Sequence, residues 1–179
     1  DAPDEVDREA DIVILATPSA YLKTFLEPLT VSLQDKFVVS AIKGIIPEEL
    51  VTVAEYMKLT YGLPFDQLGI VSGPCHAEEV ALERLSYLTA VCKTPENSEA
   101  LGRKIRTDYI RVTPSTDIYG IEYAAVLKNI YAIAVGMAIG LGYGDNFLAV
   151  LISNGAMEMA RFMEQTYPEK RNVFASAYL

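Results

Sequence analysis

Five short apolar runs constrain what this chain can fold into: DIVILATP at Asp11–Pro18, KFVVSAI at Lys36–Ile42, LGIVSG at Leu68–Gly73, SYLTAVC at Ser86–Cys92 and YIRVTP at Tyr109–Pro114. Each has the length of a strand, and the first, a continuous apolar run before a turn, reads as a strand buried on both faces. Helical stretches lie between them. Ser19 offers a cap for a helix through about Leu33, bent or interrupted at Pro28. Pro47–Thr60 carries Pro and Glu at its start, another helix starts near Cys75 or His76, and Pro95–Thr107 is a further one. Strands alternating with helices of this length predict a parallel or mostly parallel α/β sheet.

After Pro114 the pattern changes. Ser115, Thr116 and Asp117 offer an N-cap, an apolar helix runs to about Leu141, GLGYGDN breaks it, and an amphipathic helix follows from about Asn146 to Thr166, ended by Pro168. The division therefore falls between residues 1–114, a sheet, and 115–179, helices. GLGYGDN follows a helix and has the wrong spacing for a phosphate loop, so it reads as a helix end and turn.

The stretch EYAAVLKNIYAIAVGMAIG, Glu122–Gly140, is apolar, small or aromatic after its first residue except at Lys128 and Asn129. A helix apolar all round is a buried one, and a buried ammonium is costly unless it is paired or loses its proton. Lys128 therefore either snorkels to water or faces a cleft. The apolar part, Tyr123–Ile139, is short for a membrane span and holds that lysine near its middle, so no integral membrane segment is expected.

With a net charge of −9 and a pI near 4.6, a nucleic-acid partner is not expected. The two cysteines, Cys75 and Cys92, form no CxxC, and His76 is the single histidine, so no disulfide framework and no metal site are expected and a reducing cytoplasm is. A small anion can still be held by placed lysines and helix N-termini. Lys43 directly follows a buried strand, beside Gly44, where an α/β sheet binds ligands. VSGPCHAEEVA at Val71–Ala81 is another strand end with a Gly-Pro turn and a helix start, where glycine would let a ligand approach the backbone. Each has a plain alternative: a surface lysine, and an ordinary β–α turn with Glu78 and Glu79 complementing the helix dipole. The chain opens at Asp1 on a strand pattern and closes on NVFASAYL, and is expected to be a piece of a larger protein.

AIKGI, SGPCHAEEVA and DIYGIEYAAVLKNIYAIAVGMAIGLGYGDNFLAVLISNGAMEMAR, in this order and with these gaps, resemble the bacterial NAD(P)-dependent glycerol-3-phosphate dehydrogenases. The block D-x-x-G-x-E-x-x-x-x-x-K-N-x-x-A-I-A-x-G at Asp117–Gly136 is the most specific part. The resemblance implies a partial Rossmann-like parallel sheet at 1–114, from the NAD(P)-binding domain. At 115–179 it implies the start of a helical substrate domain of the 6-phosphogluconate-dehydrogenase-like kind. It implies interconversion of sn-glycerol 3-phosphate and dihydroxyacetone phosphate for glycerophospholipid synthesis, in the cytoplasm, with NAD or NADP as cofactor; a homodimer is compatible with it.

By the same resemblance, Lys128 matches the catalytic lysine that accepts the hydroxyl proton, and Asn129 a residue that organises the substrate. Lys43 matches a lysine touching both substrate and cofactor, Gly73 and Cys75 match substrate-contacting positions, and Ala77 and Tyr21 cofactor-contacting ones. A buried helix would supply the desolvation, and Lys43 the neighbouring cation, that let Lys128 work as a base. Cys75 stands where Ser or Thr is commoner. The G-x-G-x-x-G unit and the family's downstream aspartate and arginine segments do not occur in this sequence, and the isolated chain is expected to be inactive. Two other readings stand beside this one: a related β-hydroxyacid dehydrogenase or ketoacid reductase, and a helical association module without chemistry.

Overall fold

The computed structural model describes residues 9–167. Strands β1 (Ile12–Leu15), β2 (Phe37–Ser40), β5 (Leu68–Ser72), β6 (Ser86–Cys92) and β7 (Ile110–Ser115) form one sheet in the order β1-β2-β5-β6-β7, and β3 (Ile45–Ile46) and β4 (Val51–Thr52) form a small hairpin. The helices are α1 (Leu22–Leu26), α2 (Val53–Tyr61), α3 (Ala77–Ala81), α4 (Pro95–Ile105), α5 (Ile118–Gly140) and α6 (Asp145–Thr166), with single-turn 3₁₀ pieces at Ser19–Tyr21 and Phe65–Gln67.

Successive strand residues enter opposite cores, as the pleat requires. Val38 packs with Leu22, Leu26, Val53, Met57, Ile118 and Ile121 on one face; its neighbour Val39 packs with Ala90, Cys92, Leu101 and Val112 on the other. The middle of the sheet is covered on both faces, which is why β2, β5 and β6 read as apolar runs, while β1 and β7 at its edges are more exposed.

The mostly parallel sheet expected from the sequence is found: β1, β2 and β5 are parallel and β7 is parallel to β6, with one reversal, β6 running antiparallel to β5; two helix bounds differ from expectation. The single helix between β5 and β6 is the five-residue α3, too short to span a sheet face as a parallel crossover demands. The eleven-residue α4 joins β6 to β7 and can. The helix expected from Ser19 to Leu33, bent or interrupted at Pro28, ends at Leu26; Glu27 is still helical at φ −54° and ψ −44°, and the next residue, Pro28, has no N–H to carry the ladder on. The helix expected from Pro47 starts instead at Val53. There Thr52 and Glu55 form a reciprocal capping box, while the β3–β4 hairpin takes the preceding residues. Pro168, expected to end the last helix, lies outside the described residues.

A row of paired residues crosses the whole sheet: Leu15, Ser40, Ile70, Val91 and Ser115. β1, β2 and β7 all end on it, although β7 runs the opposite way. β5, β6 and β7 continue past the row on the side where β1 and β2 stop, so the sheet is stepped. Immediately after β7, Asp117 caps α5, its Oδ1 accepting from the Gly120 N–H at 2.9 Å.

Candidate active site

The step in the sheet is where the predicted strand-end residues meet. Past β1 lie Pro18 and the turn Ser19–Tyr21; past β2, Ala41–Gly44; past β5, Gly73–Ala77. Lys43 Nζ donates to the Gly73 carbonyl at 3.4 Å, holding a cation over the end of β5. Gly44, at φ +150°, lies so close to the β1 loop that an added Cβ would stand 2.5 Å from Ser19 Oγ. The three loops thus form one continuous edge. Tyr21 and Ala77 are exposed on it. Cys75 is half-buried and packs against the second core, a place that suits a small apolar group as well as a donor.

Gly73 needs its missing side chain for a reason other than the one expected. Its φ is +148°, and a Cβ would run into the Tyr87 carbonyl oxygen and stand 2.9 Å from Leu88 Cα. The antiparallel β6 occupies that space, so the glycine serves the β5–β6 wall before any ligand.

Lys128 and Asn129 are exposed, although the helix that carries them was expected to be a buried one. The first turns of α5 are buried at Ile118, Gly120, Ile121, Glu122, Ala124 and Ala125, but beyond Lys128 the only buried position is Ala138. By length and composition α5 could cross a membrane. Its first turns instead pack on β4, β5 and β6, and among the described residues α6 alone packs along its length. One side of the second half is therefore open. Lys128 stands at a cleft of about 260 Å³ between α5 and α6, with Tyr131, Val135, Ile152, Ala156 and Met159. The structure thus brings Lys43 and Gly73 into contact and sets Lys128 and Asn129 on the helix that leaves the sheet.

One residue at this junction was missed. Glu122, 6% exposed, reaches across to the first turn of α2, where its Oε1 accepts from the Ala54 N–H at 3.1 Å; Oε2 is buried without a hydrogen-bond partner. Burial pushes its carboxyl up to about 7, Glu55 adding to the effect and the Thr52 side chain and the Val53 and Ala54 amides opposing it. The signals were present in the sequence: a lone acid among apolar residues, and Thr-Val-Ala-Glu at 52–55 marking a helix start. A carboxyl raised in the folded state binds its proton more tightly there than in the unfolded chain. Its contribution to stability is full below about pH 4.5 and is lost as pH rises through 7. From pH 5 to pH 8 this group is expected to remove about 2–3 kcal/mol. Urea melts at the two pH values check this, with Glu122→Gln lacking that share of the change.

Open α/β sheets bind nucleotides beyond the carboxyl ends of their strands, and a helical part following such a sheet gives the Rossmann-plus-helical class of dehydrogenases. Residues 2–98 match the N-terminal, and residues 117–179 the C-terminal, family description of NAD-dependent glycerol-3-phosphate dehydrogenase. The chain belongs to that family. It is 37% identical over 161 residues to the glycerol-3-phosphate dehydrogenase [NAD(P)+] of Bacillus subtilis, a match covering 88% of this chain and 46% of that one. To the Thermotoga sp. enzyme of the same name it is 38% identical over 159 residues, covering 89% and 47%. The glycerol-3-phosphate dehydrogenase structure from Coxiella burnetii superposes with a TM-score of 0.84 at 24% identity, over 98% of this chain and 53% of that one, and so shares its fold. The chain spans about half the length of the curated relatives it matches.

Proposed function

We propose that the protein carrying this chain is a cytoplasmic NAD(P)-dependent glycerol-3-phosphate dehydrogenase, interconverting sn-glycerol 3-phosphate and dihydroxyacetone phosphate for glycerophospholipid synthesis. Residues 1–114 serve as part of its nucleotide-binding domain and 115–179 as the start of its helical substrate domain. The observation that carries the reading is the Lys43–Gly73 contact at the step of the sheet, in a member of this family. A cation held over a strand end beside an exposed helix start suits a phosphorylated substrate and the anionic part of a dinucleotide. Tyr21, Lys43 and Ala77 would line the nucleotide, and Lys43, Gly73, Cys75 and Asn129 the substrate. No nucleic acid and no membrane enters this reading.

When bound, the nicotinamide ring supplies or takes up the hydride at the substrate's C2. The protein's part is the proton. Lys128 as ammonium would give a proton to the carbonyl oxygen as it becomes a hydroxyl, and in the reverse direction its neutral amine would take the hydroxyl proton. Asn129 holds the substrate in register.

The test follows nicotinamide absorbance with dihydroxyacetone phosphate and, separately, with 2-keto and 3-keto acids, using the protein that carries this chain. Turnover confined to dihydroxyacetone phosphate is the expected result. Preference for a keto acid returns the chain to the related reductases. In the same assay Lys43→Met is expected to raise KM for dihydroxyacetone phosphate by roughly 10–100-fold, the range of a charge-assisted contact, with a smaller change in kcat; an unchanged KM removes Lys43 from the site.

A further inference from the structure

We infer that Glu122 is a positioning residue for the chemistry proposed above, clamping the lysine-bearing helix to the segment that carries Lys43. The inference rests on the proposed function for its activity readout and on geometry for the rest.

The first turn of α2 is a junction. Its N-terminus is capped from within: Thr52 Oγ1 accepts from the Glu55 N–H at 3.3 Å, and Glu55 Oε2 accepts from the Thr52 N–H at 3.2 Å. The next donor, the Ala54 N–H, is buried and receives its acceptor from α5 through Glu122, 68 residues away. A buried amide without an acceptor is strongly disfavoured, so this bond fixes the start of α5 against the first turn of α2. The same turn also holds α6, since the Tyr167 hydroxyl, just past its end, donates to Glu55 Oε1 at 3.2 Å and lies 3.2 Å from the Tyr123 hydroxyl of α5.

The two sides of the junction lead to the two lysines. Upstream, Thr52 pairs with Ile45 in the hairpin that directly follows Lys43-Gly44. Downstream, Lys128 follows Glu122 on the same helix, about 9 Å further along its axis. A shift of α5 on α2 therefore moves Lys128 relative to Lys43. Catalysis is sensitive to displacements on the scale of 1 Å, so this clamp acts on rate through Lys128 without touching the reactants.

The test compares wild type with Glu122→Gln, Glu122→Asp and Glu122→Ala in the protein that carries this chain. Gln keeps an acceptor at the right reach; Asp keeps the acid but falls one methylene short. We expect Gln to retain kcat within about three-fold. Asp and Ala are each expected to lose ten-fold or more in kcat, with nucleotide KM within two-fold of wild type. Hydrogen exchange at the Ala54 amide should quicken at least ten-fold in Asp and Ala but not in Gln. Gln as slow as Ala, or faster Ala54 exchange with kcat intact, overturns the inference. If Ala does not fold, the Gln–Asp contrast decides alone. If wild type does not reduce dihydroxyacetone phosphate, the proposed function fails by itself, and unchanged Ala54 exchange in Asp then removes the clamp as well.

Discussion

Lys128→Ala is expected to lower kcat for dihydroxyacetone phosphate reduction by about 10²–10⁴-fold in the protein that carries this chain, the usual range for losing a general acid–base group. Nucleotide affinity should change little, since Tyr21, Lys43 and Ala77 belong to the sheet edge and Lys128 to the helical hairpin. The exposed position sharpens the prediction. Within the described residues α5 does not bury this side chain, so a proton-transfer role draws its dry surroundings from the closing of substrate and nucleotide over the cleft. A lysine serving only solubility or helix solvation would tolerate alanine. Turnover within a few-fold of wild type would remove Lys128 from the reaction and leave the cleft between α5 and α6 as packing.

Gly73→Val is expected to destabilise the chain by about 3–5 kcal/mol, through a glycine-only backbone angle and a side chain forced into β6. The clash is with the backbone at Tyr87 and Leu88, which cannot retreat without disturbing their pairing with β7. With typical stabilities of about 5–15 kcal/mol, much of the population should unfold under mild urea. Gly136→Ala is the control: nothing stands within 4 Å of its Cβ position, and in mid-helix alanine should be neutral or stabilising by about 0.5–1 kcal/mol. Urea midpoints for the two variants decide. A Gly73→Val chain as stable as wild type but unable to bind substrate would restore the idea that this glycine makes room for a ligand.

How much of this was legible depended on how local the cause was. Val38 and Val39 announce a strand, Pro95 a helix start and Asp117 a cap, because the signal and its structural effect lie within a few residues. The reversal of β6 was not legible, because SYLTAVC reads the same in either direction and only the shortness of α3 tells them apart. Lys43 and Gly73 were each found as strand ends, but their contact spans thirty residues and appears only once β2 and β5 are paired. The open side of α5 was not legible, because an apolar helix reads as covered all round, whereas α6 packs along one side of it. The lone acid at Glu122 and the helix start at 52–55 are each visible in the sequence, but nothing in either links the two, because the bond between them runs to a backbone amide 68 residues away.

The stepped sheet gives the candidate site two walls of unequal stiffness. On one side the backbone past the end of β5 lies against β6, with β7 beyond it, each strand laddered to its neighbour. On the other side stand the short turn at Ser19–Tyr21 and the Lys43-Gly44 loop, which lean on each other outside any ladder of the main sheet. Openings of low free energy are drawn from segments of the second kind. In the function proposed above, accommodation of ligands of different length or bulk would fall to the β1 and β2 loops, with the β5–β6–β7 side as the fixed datum.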